Sequence, residues 1–409
     1  MAEINYSRVQ TLTNMEKALK ENYLPVWQNG LTTEPSALLG KIKKVPLKSN
    51  KIVTTAPFGL SGGFGFGAEG LATPQAGPVP FERFETYAKD MYVNIAITAK
   101  SVRLTGSGGS MANALDTEVK AAYETAKWNV GRSLFGNGSG ILAECDAVVG
   151  SNTIKIKDKD AESNIIPNPC KFMKEGLIID VYATGESVPQ DKGKGVRIVS
   201  VDRVNNTITI GGNAVTLDAG FITVQNSYNK EITGLGAIFD DGISTLYGVS
   251  KNANKVIVPT VIDANGDIND SVIWDGVEGA ETYKNSKIDM IMMGKSAYKH
   301  YIDYLRTNNV QIEIATKDIV GGFKSLAYAF SNREIDIVYD QFIPDDEAWC
   351  LETGKLELHT QEWDFADLQG GGIFNLMENS SVYRALLANY GDLVCTNPGG
   401  CVRITNCAQ

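Results

Sequence analysis

The segment from Ala56 to Pro80 constrains the fold of this chain more than any other part of its sequence. Glycine recurs between Gly59 and Gly70, and a cluster of prolines and glycine follows up to Pro80. A helix or a central strand would lose stability here, because glycine gives up the most backbone entropy and proline lacks an N–H donor. The segment nevertheless carries Phe58, Phe64 and Phe66, which a simple flexible linker would not.

Two stretches with strand character flank this segment. Residues 46–55 have the pattern of one strand, and residues 81–103 alternate like a returning strand. Together they predict an extended hairpin that projects from its own chain. Proline and glycine interrupt every element that could carry Phe58, Phe64 or Phe66 back to its own core, so we expect these residues and Phe81 to be buried by other copies of the chain.

A second pair of aromatic residues has the same expected role. Trp363 and Phe365 lie just before three consecutive glycines at positions 370–372. An indole beside glycines is poor core design but a good interfacial anchor. We therefore expect Trp363 and Phe365 to contact other copies. Trp363→Ala should then change the stability of the isolated subunit by less than about 1 kcal/mol.

The most regular pattern lies between Met111 and Phe135. Apolar side chains recur there at three- and four-residue steps, at Leu115, Val119, Ala122, Ala126 and Val130. This spacing predicts a helix about 35 Å long with one apolar stripe, ended by the glycines that follow Phe135.

The remainder divides into two regions. Residues 141–233 consist of short β-rich runs, with Asn205-Asn206 as a hairpin turn, and predict a small barrel or sandwich that folds as an autonomous surface module. From residue 234 the pattern is mixed, with a strand at 288–293, a helix at 295–306 and several later strands.

Charge and composition narrow the classes of function. The formal net charge is −10, which argues against a protein that grips phosphate backbones. Histidine is limited to His300 and His359, so most acid–base and metal chemistry lacks its usual side chain. The sequence has neither a membrane-spanning apolar run nor the apolar core of a secretory signal, so we expect no membrane partner and synthesis in the cytosol.

Short motifs predict no catalytic site. Residues 59–63 match G-x-S-x-G and residues 65–70 match G-x-G-x-x-G, but glycines and prolines follow instead of the helix that each motif needs. Residues 263–267 resemble the start of a calcium loop, but Ile268 and Trp274 occupy the positions that require glycine and glutamate.

The six cysteines do not form a recognisable metal motif. Cys395, Cys401 and Cys407 are six residues apart and lack a fourth ligand nearby, so free thiols are expected, with disulfides left open. We therefore predict no catalytic residue, no cofactor and no metal.

The order of these segments is more specific than any motif. An N-terminal arm, a glycine- and phenylalanine-rich hairpin, a long helix ending in SLFGNGSG (133–140), a β-rich insert with FMKEGLIIDV (172–181) and VRIVSVD (196–202), and closing strands follow one another. This order resembles the major capsid proteins of tailed bacteriophages, with their Hong Kong ninety-seven-type shell fold. The resemblance covers the chain from about Glu16 to Ile404.

The resemblance implies an α+β fold with five parts. These are an N-terminal arm (1–45), an extended E-loop hairpin (46–103), a peripheral domain with the spine helix (104–140 and 355–392), an all-β insertion domain (141–233) and an axial domain (234–354 and 393–409).

The resemblance also implies a function and partners. The chain would be a structural protein and not an enzyme, assembling in the bacterial cytoplasm into pentamers and hexamers of an icosahedral virion shell. DNA would be confined inside without specific recognition. The hairpin begins too early for a fused scaffold, so a separate scaffolding protein or none is implied, together with a portal, while a cement or decoration protein is left open. Because no lysine lies between Lys51 and Lys89, the cross-link that some members form from this hairpin is not expected.

The sequence is compatible with two alternatives. An encapsulin-type bacterial compartment shares the shell fold, although the β-rich insert and the chain length favour a virus. A secreted β-rich carbohydrate-binding protein or hydrolase belongs to a different class and would need a signal peptide and clustered surface aromatics or paired carboxylates, neither of which is evident.

Overall fold

The computed structural model describes residues 19–57, 62–68, 74–98, 110–159, 165–307, 317–319, 323–330, 333–366, 373–377 and 380–408. They form a mixed helix and sheet structure. The helices, numbered along the chain, are α1 (Leu24–Thr33), α2 (Ser110–Phe135), α3 (Gly236–Phe239), α4 (Asp270–Lys284) and α5 (Lys295–Thr307).

The strands of the first half of the chain are β1 (Lys43–Pro46), β2 (Lys51–Pro57), β3 (Phe81–Tyr87), β4 (Lys89–Thr98), β5 (Ile141–Cys145), β6 (Val148–Ser151), β7 (Thr153–Lys155), β8 (Ile178–Ala183), β9 (Val196–Asp202), β10 (Thr207–Ile210), β11 (Val215–Leu217) and β12 (Gly220–Val224). Those of the second half are β13 (Thr245–Leu246), β14 (Val249–Ser250), β15 (Thr260–Asp263), β16 (Met290–Met293), β17 (Lys317–Ile319), β18 (Phe323–Phe330), β19 (Arg333–Tyr339), β20 (Ala348–Leu351), β21 (Leu356–Thr360), β22 (Asp364–Phe365), β23 (Asn375–Leu376), β24 (Val382–Cys395) and β25 (Val402–Thr405).

The long helix α2 lies where its apolar stripe predicts it. Val119 and Ala126 are buried on that stripe. Helix α1 packs beside it, with Pro25 in its first turn, where the missing N–H has no helical partner to lose. Both helices cover a six-stranded sheet, so the N-terminal segment is part of a layered structure from residue 24 onwards.

The six-stranded sheet is organised around β24. This strand pairs antiparallel with β4 along residues 382–391 and with β21 along residues 391–395, while β1 runs parallel to β21. The short strands β22 and β23 also pair with β24. Most of this sheet therefore depends on pairings between segments that are far apart in sequence.

The predicted hairpin exists, but its returning strand is divided. Strands β2 and β3 pair antiparallel in register from Lys51↔Tyr87 to Pro57↔Phe81. The chain then leaves the hairpin at Ala88, and β4 joins β24 instead. The expectation of one strand over residues 81–103 is wrong on this point, because a distant partner strand decides where the segment bends.

The β-rich insert curls into a small barrel. Its six strands follow the order β5-β12-β8-β9-β10-β7, and a bridge between Cys145 and Ile156 joins the two ends. Fully buried isoleucines, among them Ile154, Ile179 and Ile208, fill its core. The predicted Asn205-Asn206 turn connects β9 to β10, with Asn206 in the left-handed region at φ 53°.

A mixed seven-stranded sheet follows, in the order β15-β25-β20-β16-β19-β18-β17. Its central strand β16 consists of four fully buried residues, as expected for a strand covered on both faces. Helix α5 buries Ala297, Tyr301 and Leu305 against this core, on the face that its sequence spacing predicts.

The structure corrects the expectation for Trp363 and Phe365. Their exposed fractions are 3% and 7%, and both lie in the core beneath α1, with Trp27 and Leu31. The Nε2 of Gln28 also donates to the Trp363 carbonyl at 2.7 Å. The prediction that they contact other copies instead of their own core is therefore wrong, because α1 covers them. The glycines at 370–372 lie outside the described residues.

Burial of the indole reverses the expected effect of Trp363→Ala. Removing a large side chain from a packed core costs roughly 3–5 kcal/mol, so the substitution should lower the free energy of unfolding of the isolated subunit by that amount, measured by chemical denaturation. Trp274→Ala is the matched control, since that indole is 44% exposed, and should cost clearly less. Equal losses for the two variants would contradict the placement of Trp363 in the core.

Candidate functional site

The tip of the hairpin exposes aromatic side chains. Phe64 and Phe66 are 82% and 97% exposed, and their ring centroids lie 5.4 Å apart in an edge-to-face arrangement. Phe81, opposite Pro57 at the end of the β2–β3 ladder nearest the tip, is 67% exposed. Phe58 lies outside the described residues. Single exposed apolar residues are common, but two exposed phenyl rings in contact with each other are a typical feature of an interaction surface.

The two sides of the tip approach closely. A Cβ built on Gly77 would lie 2.7 Å from the backbone of Gly62, which is closer than any side chain tolerates. Glycine at this crossing is therefore a steric requirement of the narrow tip.

The base of the hairpin is fixed to the body of the protein. Phe84 is 1% exposed and its ring centroid lies 5.6 Å from that of Tyr247. The backbone N–H of Glu85 donates to the Tyr247 carbonyl at 2.9 Å, and Asn254 donates to the Glu82 carboxylate. The base of the hairpin is thus buried and hydrogen-bonded, whereas the aromatic side chains at its tip are exposed.

A groove of about 710 Å³ lies elsewhere on the chain, between α1, α2 and the insert. It is lined by Asn29 and Thr33 of α1, Glu124 and Trp128 of α2, Lys174 of the insert, and Phe342 after β19. Lys174 Nζ lies 4.7 Å from the centre of the Trp128 ring, a cation–π contact. Burial lowers the pKa of Lys174, and the Glu124 carboxylate partly offsets this effect.

Polar contacts fix the wall of this groove. The Tyr123 hydroxyl and Lys127 Nζ both donate to Glu34 Oε2 at 3.0 Å. The Ser36 hydroxyl donates to the buried Asp340 carboxylate at 2.6 Å, and the N–H of Phe342 donates to the other oxygen of Asp340 at 2.9 Å. Asp340 therefore links the segment after α1 to the loop that carries Phe342.

Desolvation by burial raises the pKa of Asp340 to about 6, although the bonds from Ser36 and Phe342 and the charge of Lys171 act in the opposite direction. Sequence reasoning missed Asp340, Lys174 and the groove, since each depends on contacts between distant segments and none has a local signal.

The glycine-rich motifs and the two histidines do not come together in a catalytic site among the described residues. Residues 65–68 of the G-x-G-x-x-G motif are irregular and not helical. His300 Nδ1 lies 3.5 Å from Asp267, and His359 Nε2 lies 3.3 Å from Glu357. Among the described residues, no group of three or more His, Cys, Asp or Glu side chains is placed to hold a metal ion, and no helix is long and apolar enough to cross a membrane.

Comparison by sequence found no matching family model and no matching curated protein. Comparison by structure found capsid proteins. The chain is similar to a subunit of the cyanophage A-1(L) capsid asymmetric unit, at 12% identity over 94% of this chain and 93% of that one, with a TM-score of 0.50.

Two further structures are similar at lower TM-scores. A Mycobacterium phage Bobi structure matches at 9% identity over 91% of each chain, with a TM-score of 0.43. The holo-SrpI encapsulin complex of Synechococcus elongatus PCC 7942 matches at 8% identity over 89% of this chain and 85% of that one, with a TM-score of 0.45.

The chain therefore has the overall fold of a phage capsid protein. This conclusion rests on the similarity to the cyanophage structure, which extends over almost the whole of both chains. The resemblance inferred from the order of sequence segments is confirmed as a likeness of fold.

The Asp340 carboxyl should make the stability of the subunit depend on pH. Its pKa is raised from 3.8 to about 6, so the folded state favours the protonated form. The resulting stabilisation is complete below about pH 4 and is lost as the pH rises through 6. At about 1.4 kcal/mol per pKa unit, the loss is on the order of 3 kcal/mol.

Asp340→Asn should remove this part of the pH dependence and stabilise the subunit at pH 8, measured by urea unfolding from pH 4 to 8. Asp191→Asn, at an exposed side chain of the insert, is the matched control and should follow the parent curve. An Asp340→Asn variant with unchanged pH dependence would refute the buried-carboxyl explanation.

Proposed function

We propose that this protein is the major capsid subunit of a tailed bacteriophage, a structural protein that assembles into pentamers and hexamers of an icosahedral shell around double-stranded DNA. The observation that carries the proposal is the hairpin, whose base is anchored in the core while Phe64 and Phe66 at its tip remain 82% and 97% exposed. The capsid-like fold of the whole chain supports the same conclusion.

The energetics of the tip favour burial by another copy. Ordering a glycine costs roughly 0.5–1 kcal/mol more than ordering an alanine. Burying one phenylalanine returns about 1.5–3 kcal/mol. Within a single chain, ordering the tip costs backbone entropy, but no apolar surface is buried to offset it. Contact with a neighbouring copy supplies both Phe64 and Phe66 with a partner surface.

The groove between α1 and α2 is the surface that we assign to the incoming tip. Its volume of about 710 Å³ accommodates two phenyl rings. Trp128 and Phe342 supply apolar walls, and the Lys174 ammonium offers a cation–π partner to an aromatic ring. An aromatic pair and a cation-bearing groove are chemically complementary.

The parts of the chain then have distinct proposed roles. Residues 1–45 form the arm, and within 46–103 the strands β2 and β3 with the tip between them form the hairpin that reaches a neighbour. The peripheral domain comprises 104–140 and 355–392, and the insertion domain comprises 141–233. The axial domain, 234–354 with 393–409, would cluster around fivefold and sixfold axes.

The net charge of −10 fits a shell that confines DNA without gripping it. Proposed partners are other copies of the chain, a portal and a separate scaffolding protein, in a virion assembled in the host cytoplasm. An encapsulin-like shell would share the assembly but enclose protein cargo, so electron microscopy and nucleic-acid content of purified shells distinguish the two.

Replacing residues 59–79 with a short Gly/Ser turn should give a folded, soluble subunit that fails to close shells. The hairpin base keeps its own buried contacts, so the free energy of unfolding should change little while assembly is lost, measured by size-exclusion chromatography and electron microscopy. The double variant Phe64→Ser/Phe66→Ser should have the same effect with fewer changes.

The matched control is Val149→Ser/Val204→Ser, at two apolar residues of the insert that are 82% and 90% exposed and should leave assembly intact. Closed shells from the tip variants would refute the role of the hairpin. Unfolding of the tip variants would place the tip in the core of its own subunit.

Lys174→Glu should impair assembly without unfolding the subunit. It replaces the ammonium over Trp128 with a carboxylate near Glu124, which removes the cation–π partner of the groove. Lys194→Glu makes the same charge change at an exposed position of the insert and is the matched control. If both variants form shells in the same yield, as measured by sedimentation, the groove is not the receptor for the tip.

A further inference from the structure

A second cavity, of about 180 Å³, adjoins the groove between α1 and α2. Trp128, Lys174 and Phe342 line both cavities. The walls of the smaller one also include Lys171 of the insert, Lys295 of α5 and Asp345. We call this smaller cavity the lysine pocket.

The lysine pocket has an excess of positive charge. Lys171 Nζ forms an ion pair with the Asp345 carboxylate and also donates to the Ile343 carbonyl. Lys174 and Lys295 have no carboxylate within 4 Å among the residues that the structure describes. Three lysines against one aspartate therefore leave two uncompensated positive charges in this pocket, on a chain whose net charge is −10.

Both uncompensated lysines are placed unfavourably for the chain that carries them. Lys295 is the first residue of the 13-residue helix α5, and the dipole of a helix favours a negative charge at that end. Burial lowers the pKa of Lys174, which shows that its ammonium is incompletely solvated. A carboxylate supplied from outside the subunit would stabilise both charges.

The hairpin carries one matching charge. Between Lys51 and Glu82 the sequence contains a single charged residue, Glu69. It lies outside the described residues and follows Phe66 by three positions. Because three residues of extended chain span at most about 11 Å, a Phe66 ring bound in the groove leaves Glu69 within reach of the adjoining pocket.

We propose that the lysine pocket binds the Glu69 carboxylate of a neighbouring copy, between the ammonium groups of Lys174 and Lys295. The inference rests on the proposed function, since it requires the tip to enter the groove. Apolar contacts of Phe64 and Phe66 are non-directional, so a glycine-rich ribbon held by them alone could slide. A charge pair at one end fixes how far the ribbon enters.

Charge exchange in the full-length chain tests the pairing. Glu69→Lys and Lys295→Glu should each lower the yield of closed shells at least about tenfold, measured by sedimentation, because like charges brought together at an interface disfavour association. The double variant Glu69→Lys/Lys295→Glu should restore shells in part, since it re-forms the pair in the opposite order while Lys174 remains positive.

Lys299→Glu is the matched control, because it makes the same change at an exposed residue of α5 that does not line the pocket. It should assemble like the parent chain and should not restore shells to Glu69→Lys. The unfolding midpoint of Lys295→Glu should equal or exceed that of the parent, since a carboxylate at the first residue of α5 favours the helix. A loss of shells in this variant then reports on association and not on folding.

Parent-like yields from Glu69→Lys or from Lys295→Glu would overturn the proposal. A double variant that forms no more shells than either single variant would also overturn it, as would equal rescue by Lys299→Glu. The proposed function is judged separately by the phenylalanines. If Phe64→Ser/Phe66→Ser abolishes shells while Glu69→Lys forms them, only the ionic contact is refuted, whereas closed shells from both variants refute the role of the tip as well.

Discussion

The main apolar core is the interaction on which the rest of this structure depends. It collects Leu38 from the segment after α1, Phe84 from the hairpin base, Phe135 from the end of α2, Trp349 from the seven-stranded sheet and Cys395 from β24. Each of these elements projects or extends beyond the core and is held by burying a few side chains in it. The hairpin can therefore present an exposed tip without loss of order at its base.

The end of α2 illustrates how closely these elements are fitted. The segment from Gly234 to Gly236 passes against the last turn of the helix, and the Leu235 N–H donates to the Leu134 carbonyl at 2.8 Å. A Cβ on Gly234 would lie 2.5 Å from the carbonyl oxygens of Ser133 and Gly136. The chain that returns from the barrel thus satisfies a terminal carbonyl of α2, and it can do so only where glycine permits the approach.

The spacing of apolar and turn residues within single segments predicted those elements whose form depends on neighbours in sequence. The stripe of α2, the face of α5 and the turn at Asn206 lie as their spacing indicates. The division of the returning strand at Ala88 could not be read in the same way, because the partner of β4 is β24, far along the chain. Long-range pairing carries no signal in a single sequence window.

The candidate site also has parts that local sequence predicts and parts that depend on contacts between distant segments. The tip was predictable, since its glycines, prolines and phenylalanines are adjacent in sequence and conflict with any internal core. Trp363 was mistaken for a second exposed anchor because its sequence neighbours are glycines, whereas α1 covers it. The groove and Asp340 required the structure.

Burial and exposure separate the residues that stabilise the subunit from the residues to which the proposed association is assigned. Trp363 and Phe365 stabilise the subunit itself, while Phe64 and Phe66 contribute little to it at exposures of 82% and 97%. A chain arranged in this way loses little stability when its tip is unbound and gains apolar burial only on contact. The net charge of −10 opposes that contact at long range, but a Debye length of about 8 Å at physiological salt confines the repulsion to near neighbours. In the proposed assembly, burial of the tip at close range outweighs this repulsion, so the proposed association depends on the fit of the tip into its receptor more than on bulk attraction between subunits.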